Sequence, residues 1–158
     1  MTDSGDRLRR IDRTPGGPRG PVALLAQRPA PAERVAAARF PLTDEAVPAV
    51  RKGTVETLTA WSVDADAVAV AETVACELVA NGVQASKPGD EYGAVRLTAS
   101  NGTVVIEVWN RDHGSVPRLT PPDVDSETGR GLQLVDALCS QWHSYRAASG
   151  GIVVRAEL

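Results

Sequence analysis

The chain has 158 residues, with 17 Lys+Arg against 20 Asp+Glu, 42% hydrophobic and 23% charged residues. That length suits one domain of ordinary size, and no apolar run approaches the ~20 residues that cross a bilayer. Eight arginines and four acids fall within Met1 to Arg39, so the remainder is acidic and lacks the basic groove that nucleic-acid binding requires. No apolar stretch ahead of a small-residue cleavage site marks a secretory signal, which makes a cytoplasmic address the default expectation. Cys76 and Cys139 are far apart, with no CxxC or neighbouring His spacing, and so predict small buried thiols rather than a disulfide scaffold or a zinc site.

In chain order, residues 1–33 are rich in Gly, Pro and Arg (RTPGGPRGP, QRPAPAE), a composition that predicts a disordered tail broken only by the short apolar run Val22 to Ala26. A folded domain is expected over residues 34–158. Arg34 to Leu42 alternates as a first strand, placed at a sheet edge or end by Pro41. Thr43-Asp44-Glu45 offers a helix start, and Val47, Val50, Val55, Leu58 and Trp61 recur at helical spacing. Asp64 to Ala85 is a second and stronger helix pattern, stopped by Lys87-Pro88-Gly89-Asp90. Tyr92 to Ala99 and Thr103 to Asn110 then read as strands paired across an Asn101-Gly102 turn. Arg111 to Thr128 is long for a structureless connection, and such loops are usually functional or disordered. Leu132 to Trp142 carries Leu132, Val135, Cys139 and Trp142 at helical spacing, with His143 expected at the helix C-terminus. Ser144 to Ala148 and Gly151 to Leu158 predict a final hairpin. The expected architecture is α+β, a two-layer sandwich of a mixed, mainly antiparallel sheet with helices on one face. The three tryptophans sit on apolar faces and are expected in the core.

On the second helix Glu77 and Asn81 lie four apart, hence about 40° apart around the axis, with Thr73 and Gln84 in the same sector. Apolar and small residues fill most other directions, which marks a buried helix. A buried polar stripe needs partners, because an unpaired buried polar group costs roughly 1–3 kcal/mol. The stripe either lines a pocket or faces water. Asp112-His113-Gly114 follows directly on a strand, and Gly129-Arg130-Gly131-Leu132 opens a helix, where free N–H groups and the helix dipole favour an anion. The P-loop pattern and the long GxGxxG fingerprint are both absent. Asp112, His113 and Ser115 are too close in sequence to hold the geometry of a catalytic triad.

Taken together, Glu77-Leu-Val-Ala-Asn81, Val108-Trp-Asn110-Arg-Asp112-His-Gly114 and Thr128-Gly-Arg-Gly-Leu-Gln-Leu-Val135 resemble the N box and the two glycine boxes of one nucleotide-binding superfamily. It unites gyrase, the heat-shock chaperones, histidine kinases and mismatch-repair ATPases (GHKL). Trp61, the GRGLQLVDAL run and the Gly-Gly hairpin before the last strand are most similar to the bacterial anti-sigma-factor serine kinases. The resemblance spans Arg34 to Leu158 and implies a Bergerat-type ATP-binding fold. It implies ATP with Mg²⁺ as cofactors, Asn81 as the Mg²⁺ ligand, and Glu77 as the catalytic group that orients or deprotonates an acceptor hydroxyl or a water. It further implies that Asn110, Asp112, Gly114, Gly129, Arg130, Gly131 and Leu132 contact ATP and that the loop 111–128 is its lid. The partners implied are a sigma factor or comparable regulator and an anti-sigma-factor antagonist protein; a homodimer is left open, and neither nucleic acid nor membrane is expected. Phosphoryl transfer demands mainly positioning and charge neutralisation, which a glutamate, an asparagine-held metal and an arginine suffice to supply.

Two positions depart from the pattern. Where the superfamily has an aspartate that accepts from the adenine amino group, this chain has Asn110, whose amide oxygen still accepts but whose NH₂ can turn toward guanine instead; Asp112 is a second candidate for the role. Gln84-Ala85-Ser86 stands where relatives often carry a basic residue and a histidine, which bears on kinase proficiency more than on nucleotide binding.

Overall fold

Strand β1 (Arg34–Phe40) opens the domain, followed by helices α1 (Ala46–Ala60) and α2 (Ala65–Gln84) and the hairpin β2 (Gly93–Ser100) and β3 (Thr103–Asn110). Helix α3 (Arg130–Leu138) and the hairpin β4 (Gln141–Arg146) and β5 (Ile152–Glu157) complete it. These elements come from a computed structural model that describes residues 32–111, 114, 117 and 130–158. The expected tail over residues 1–33 lies outside them except for its last two positions, and so do Asp112, Gly129 and most of the expected lid.

Each helix boundary has a local cause. The Asp64 carboxylate accepts from the Asp66 N–H at 2.9 Å and caps α2. Helix α1 begins at the expected Thr43-Asp44-Glu45 segment, the Ala46 N–H bonding the Thr43 carbonyl at 2.9 Å. It ends where Ser62 takes φ 60°, letting the Val63 N–H reach the Leu58 carbonyl at 3.1 Å. Its fully buried line is Ala46, Val50, Thr54 and Leu58, while Val47, Val55 and Trp61 pack partly buried beside it.

The sheet order is β1-β2-β3-β5-β4, and all four pairings are antiparallel. The expected mixed sheet is thus antiparallel throughout the described residues. Ser100 faces Thr103 across the β2–β3 turn, and Asn101 and Gly102 have φ 52° and 82°, the two positive values that a two-residue turn of this hand needs. Period-two alternation then turns Val95, Leu97, Val104, Ile106, Val108, Val154 and Ala156 toward the helices, where they form one core with Leu58, Val74, Leu78, Val79 and Val135. The opposite face of the sheet carries ion pairs, Arg96 with Glu107 at 3.5 Å and Arg155 with Glu157 at 3.0 Å, and the Arg39 guanidinium 4.3 Å over the Tyr92 ring.

The last helix is shorter than expected. It stops at Leu138, the Ser140 N–H and hydroxyl both bond the Glu157 carbonyl, at 2.8 and 2.9 Å, and Gln141 enters β4. Trp142 is therefore a strand residue opposite Ala156. Its position served both patterns: it still packs beside α3, its indole N–H donating to Asp136 at 2.9 Å. His143 falls on the open face beside Tyr145, ring centroids 5.9 Å apart, not at a helix C-terminus. Trp61 and Trp142 border the core, partly buried, rather than filling it, whereas Trp109 lies on the opposite face of the sheet, its ring 5.6 Å from that of Tyr92. Cys76 is buried and Cys139 half-buried, both as free thiols.

At the β4–β5 turn Gly150 and Gly151 both have φ 87°, and a Cβ on Gly151 would stand 2.3 Å from Trp109 Nε1 and 2.6 Å from the Asn110 carbonyl. The same turn receives the Trp109 indole N–H at the Gly150 carbonyl, at 2.9 Å, and so fixes the end of β3. Gly151→Ala combines backbone strain with overpacking and is expected to destabilise by about 3 kcal/mol, read as a lower urea midpoint with an unchanged slope.

Burial, with Asp136 adding to it, pushes the Cys139 thiol up from 9.0 to about 11. The fold thus favours the neutral thiol, and this contribution to stability is full below the ordinary thiol value and lost as pH rises through the folded one. Urea midpoints measured between pH 9 and 11 should fall less steeply in Cys139→Ala than in the parent protein.

Candidate nucleotide-binding site

Helix α2 packs on α1, on β3 and on α3, and its polar stripe divides according to what lies opposite. Gln84 is exposed, and the Thr73 hydroxyl bonds back to the Ala69 carbonyl of its own helix at 3.1 Å. Glu77 and Asn81 are half-buried and face the start of α3. A Cβ on Gly131 would lie 2.5 Å from Glu77 Oε2 and 3.6 Å from Asn81 Oδ1. A glycine is thus what lets the first turn of α3 close on these two side chains. Gln84 thus fits the water-facing reading, while Glu77 and Asn81 are covered by the start of α3.

Asn81 also lines a pocket of about 270 Å³ between α2 and the sheet. Leu78 and Gly82 of α2, Ala85 just after it, Val108 of β3 and Ile152 and Val154 of β5 supply apolar walls. Asn110 supplies a polar end, and the exposed Lys87 and Arg111 stand at the rim. A Cβ on Gly82 would come within 3.9 Å of both Asn110 Cβ and Val108 Cγ1, so a larger side chain there would fill the pocket. The Asn81 amide nitrogen is buried without a hydrogen-bond partner among the described residues. A buried donor left unpaired is costly, and a ligand acceptor in the pocket relieves that cost.

The structure thus brings together Glu77, Asn81 and Gly131, and separately Asn81 and Asn110. Arg130 is exposed at the first position of α3. Leu132, assigned to ATP, packs against the core and supports the helix from beneath. Gly114 is exposed with φ 102°, a conformation that accounts for the glycine, and it does not line the pocket. Asp112 and Gly129 lie outside the described residues.

Lys87 and Asp90 were expected only to stop the helix, and Arg111 only to open the lid. Asp90 has a side chain only 5% exposed; one oxygen accepts from the Lys87 N–H at 2.9 Å and the other lies 3.7 Å from Arg111 Nε. It ties the turn after α2 to the exit of β3, at the rim of the pocket. The signal was the Lys-Pro-Gly-Asp run, read only as a helix stop; an acid three residues after the turn begins is also a turn-closing acceptor.

The family model for the histidine kinase-like ATPase domain matches residues 40–158, and the chain belongs to that family. No curated protein matches the chain. Domains of the GHKL type bind ATP with Mg²⁺ in general, and both groups suit the residues present. Asn81 Oδ1 and the Glu77 carboxylate are hard oxygen donors of the kind Mg²⁺ takes, and the close approach at Gly131 sets the start of α3 beside them. Among the described residues no helix is long and apolar enough to cross a membrane.

The close approach at Gly131 has a measurable consequence. Glu77 ends in a flexible carboxylate, so Gly131→Ala displaces it cheaply and leaves the unfolding midpoint within about 1 kcal/mol of the parent. Titration calorimetry with Mg-ATP should nevertheless show at least about tenfold weaker binding. Adding Glu77→Ala to this variant should restore part of the loss, since the two sites are in contact and non-additive.

Proposed function

We propose that this ATP-binding domain is an anti-sigma-factor-type serine protein kinase acting in the cytoplasm, one that sequesters a sigma factor or comparable regulator and phosphorylates a small antagonist protein. The observation that carries the reading is the approach of Glu77 to Gly131, which holds a carboxylate beside a helix N-terminus suited to phosphate. Asn81 Oδ1 would hold the metal, and the α3 N-terminus with the exposed Arg130 would receive the phosphates. When bound, Mg²⁺ neutralises phosphate charge. Glu77 takes the proton of the acceptor serine as its oxygen bonds to phosphorus, with ADP as leaving group. The apolar walls around Leu78, Val108 and Val154 keep water from the base end of the pocket.

A second reading, a nucleotide-sensing module without transfer chemistry, is favoured by Gln84-Ala85-Ser86 at the end of α2, where Gln84 and Ala85 are exposed and bring no charge to the site. Glu77→Ala separates the two. A kinase loses phosphoryl transfer by about 10²-fold or more while Mg-ATP binds within about threefold of the parent. A sensor shows no transfer in either protein and unchanged partner binding.

A further inference from the structure

The polar groups of the pocket are unbalanced, and the imbalance bears on which base it takes. Its described lining holds the Asn110 amide, the unpartnered Asn81 amide nitrogen, the Lys87 ammonium and the Arg111 guanidinium, and no carboxylate. The nearby acid, Asp90, has both oxygens engaged, by the Lys87 N–H and by Arg111. Arg111 pairs with Asp90 at 3.7 Å, while the Lys87 ammonium takes part in no ion pair among the described residues. The described lining thus carries two cations and no free acid.

Resting on the nucleotide-binding reading, we infer that Asn110 and Lys87 make this site accept 6-oxopurine triphosphates such as GTP about as well as ATP. A purine suits the flat apolar walls of Leu78, Val108, Ile152 and Val154. Adenine presents an amino donor at position 6 and guanine a carbonyl acceptor at the same place. A carboxylate only accepts, so at Asn110 it would favour the amino group and oppose the carbonyl. An amide offers an oxygen on one side and an NH₂ on the other, and half a turn about its last bond matches either base. Gly82 brings no side chain against Asn110, whose Cβ a methyl there would meet at 3.9 Å. Lys87 adds a mobile positive charge at the rim, which strengthens hydrogen bonding to an oxo group and adds nothing for an amino group.

The test is titration calorimetry of the full chain with ATP, GTP and ITP, each with Mg²⁺. The expected result is ATP and GTP dissociation constants within about tenfold of each other, with ITP following GTP. Asn110→Asp should shift the ratio toward ATP by at least about tenfold. Lys87→Ala should weaken GTP several-fold more than ATP, and near-ultraviolet circular dichroism checks that each variant folds. ATP preferred over GTP by more than about 100-fold overturns the inference and leaves the ATP-binding reading standing. If that preference disappears in Asp112→Asn, the selecting carboxylate is Asp112, which equally overturns the assignment to Asn110. Binding of none of the three overturns both.

Discussion

Helix α2 is enclosed on most of its circumference: Ala71, Val74, Ala75 and Val79 are fully buried and Leu78 nearly so. Such a helix moves only if the core opens, because interiors packed to crystal-like density have no slack in which to slide. Every other feature of the site is set against this fixed rod. Glu77 and Asn81 are held in one sector by helix geometry, α3 is brought to them by the absence of a side chain at Gly131, and the pocket is the space left between Leu78, Gly82 and the sheet. Small residues recur along the rod, Ala71, Ala75 and Gly82 among them, so its neighbours approach closely while the long side chains point where chemistry is needed.

The interior of the domain and its site were not equally readable. Alternation in TVVIEVWN and the Asn-Gly pair specify the β2–β3 hairpin almost without reference to the rest of the chain, and observed register and turn agree with them. The capped start of α2 is likewise written locally. Trp142 and His143 were misread because a three-to-four residue spacing and a two-residue spacing coincide over so short a segment. What broke the tie was the Glu157 carbonyl, which captures Ser140, and no local pattern announces a partner 17 residues away. Glu77, Asn81 and Gly131 could be named beforehand because a polar stripe on an apolar helix and a glycine at a helix start are both visible in one dimension. Their mutual distance could not.

The rim of the pocket was the least visible part, for a related reason. Asp90 has meaning only beside Arg111, 21 positions later, and only because α2 and β3 end at the same side of the sheet. A buried carboxylate matched to a backbone N–H and a guanidinium costs little to bury, whereas the same carboxylate alone would be expensive. Local sequence describes the turn and three-dimensional placement supplies the second partner. Asn110 is the reverse case, recognisable in sequence as an unusual choice and given its environment, two cations and no free acid among the described lining residues, by the fold.

The order in which the strands appear differs from the order in which they lie. Strand β5 is last in sequence yet sits between β3 and β4, and it brings Ile152 and Val154 to the pocket and the Gly150–Gly151 turn to the end of β3. The α1–α2 pair and the β2–β3 hairpin can therefore assemble early from near-neighbour contacts, while β2 waits for β1 more than 50 residues upstream and β3 for a segment more than 40 residues downstream. Closing such a distant pairing is the slow step expected of non-local topology. The pocket gains its far wall in the same event that completes the sheet, so a chain caught midway in folding offers the surfaces of a binder but holds no nucleotide in place.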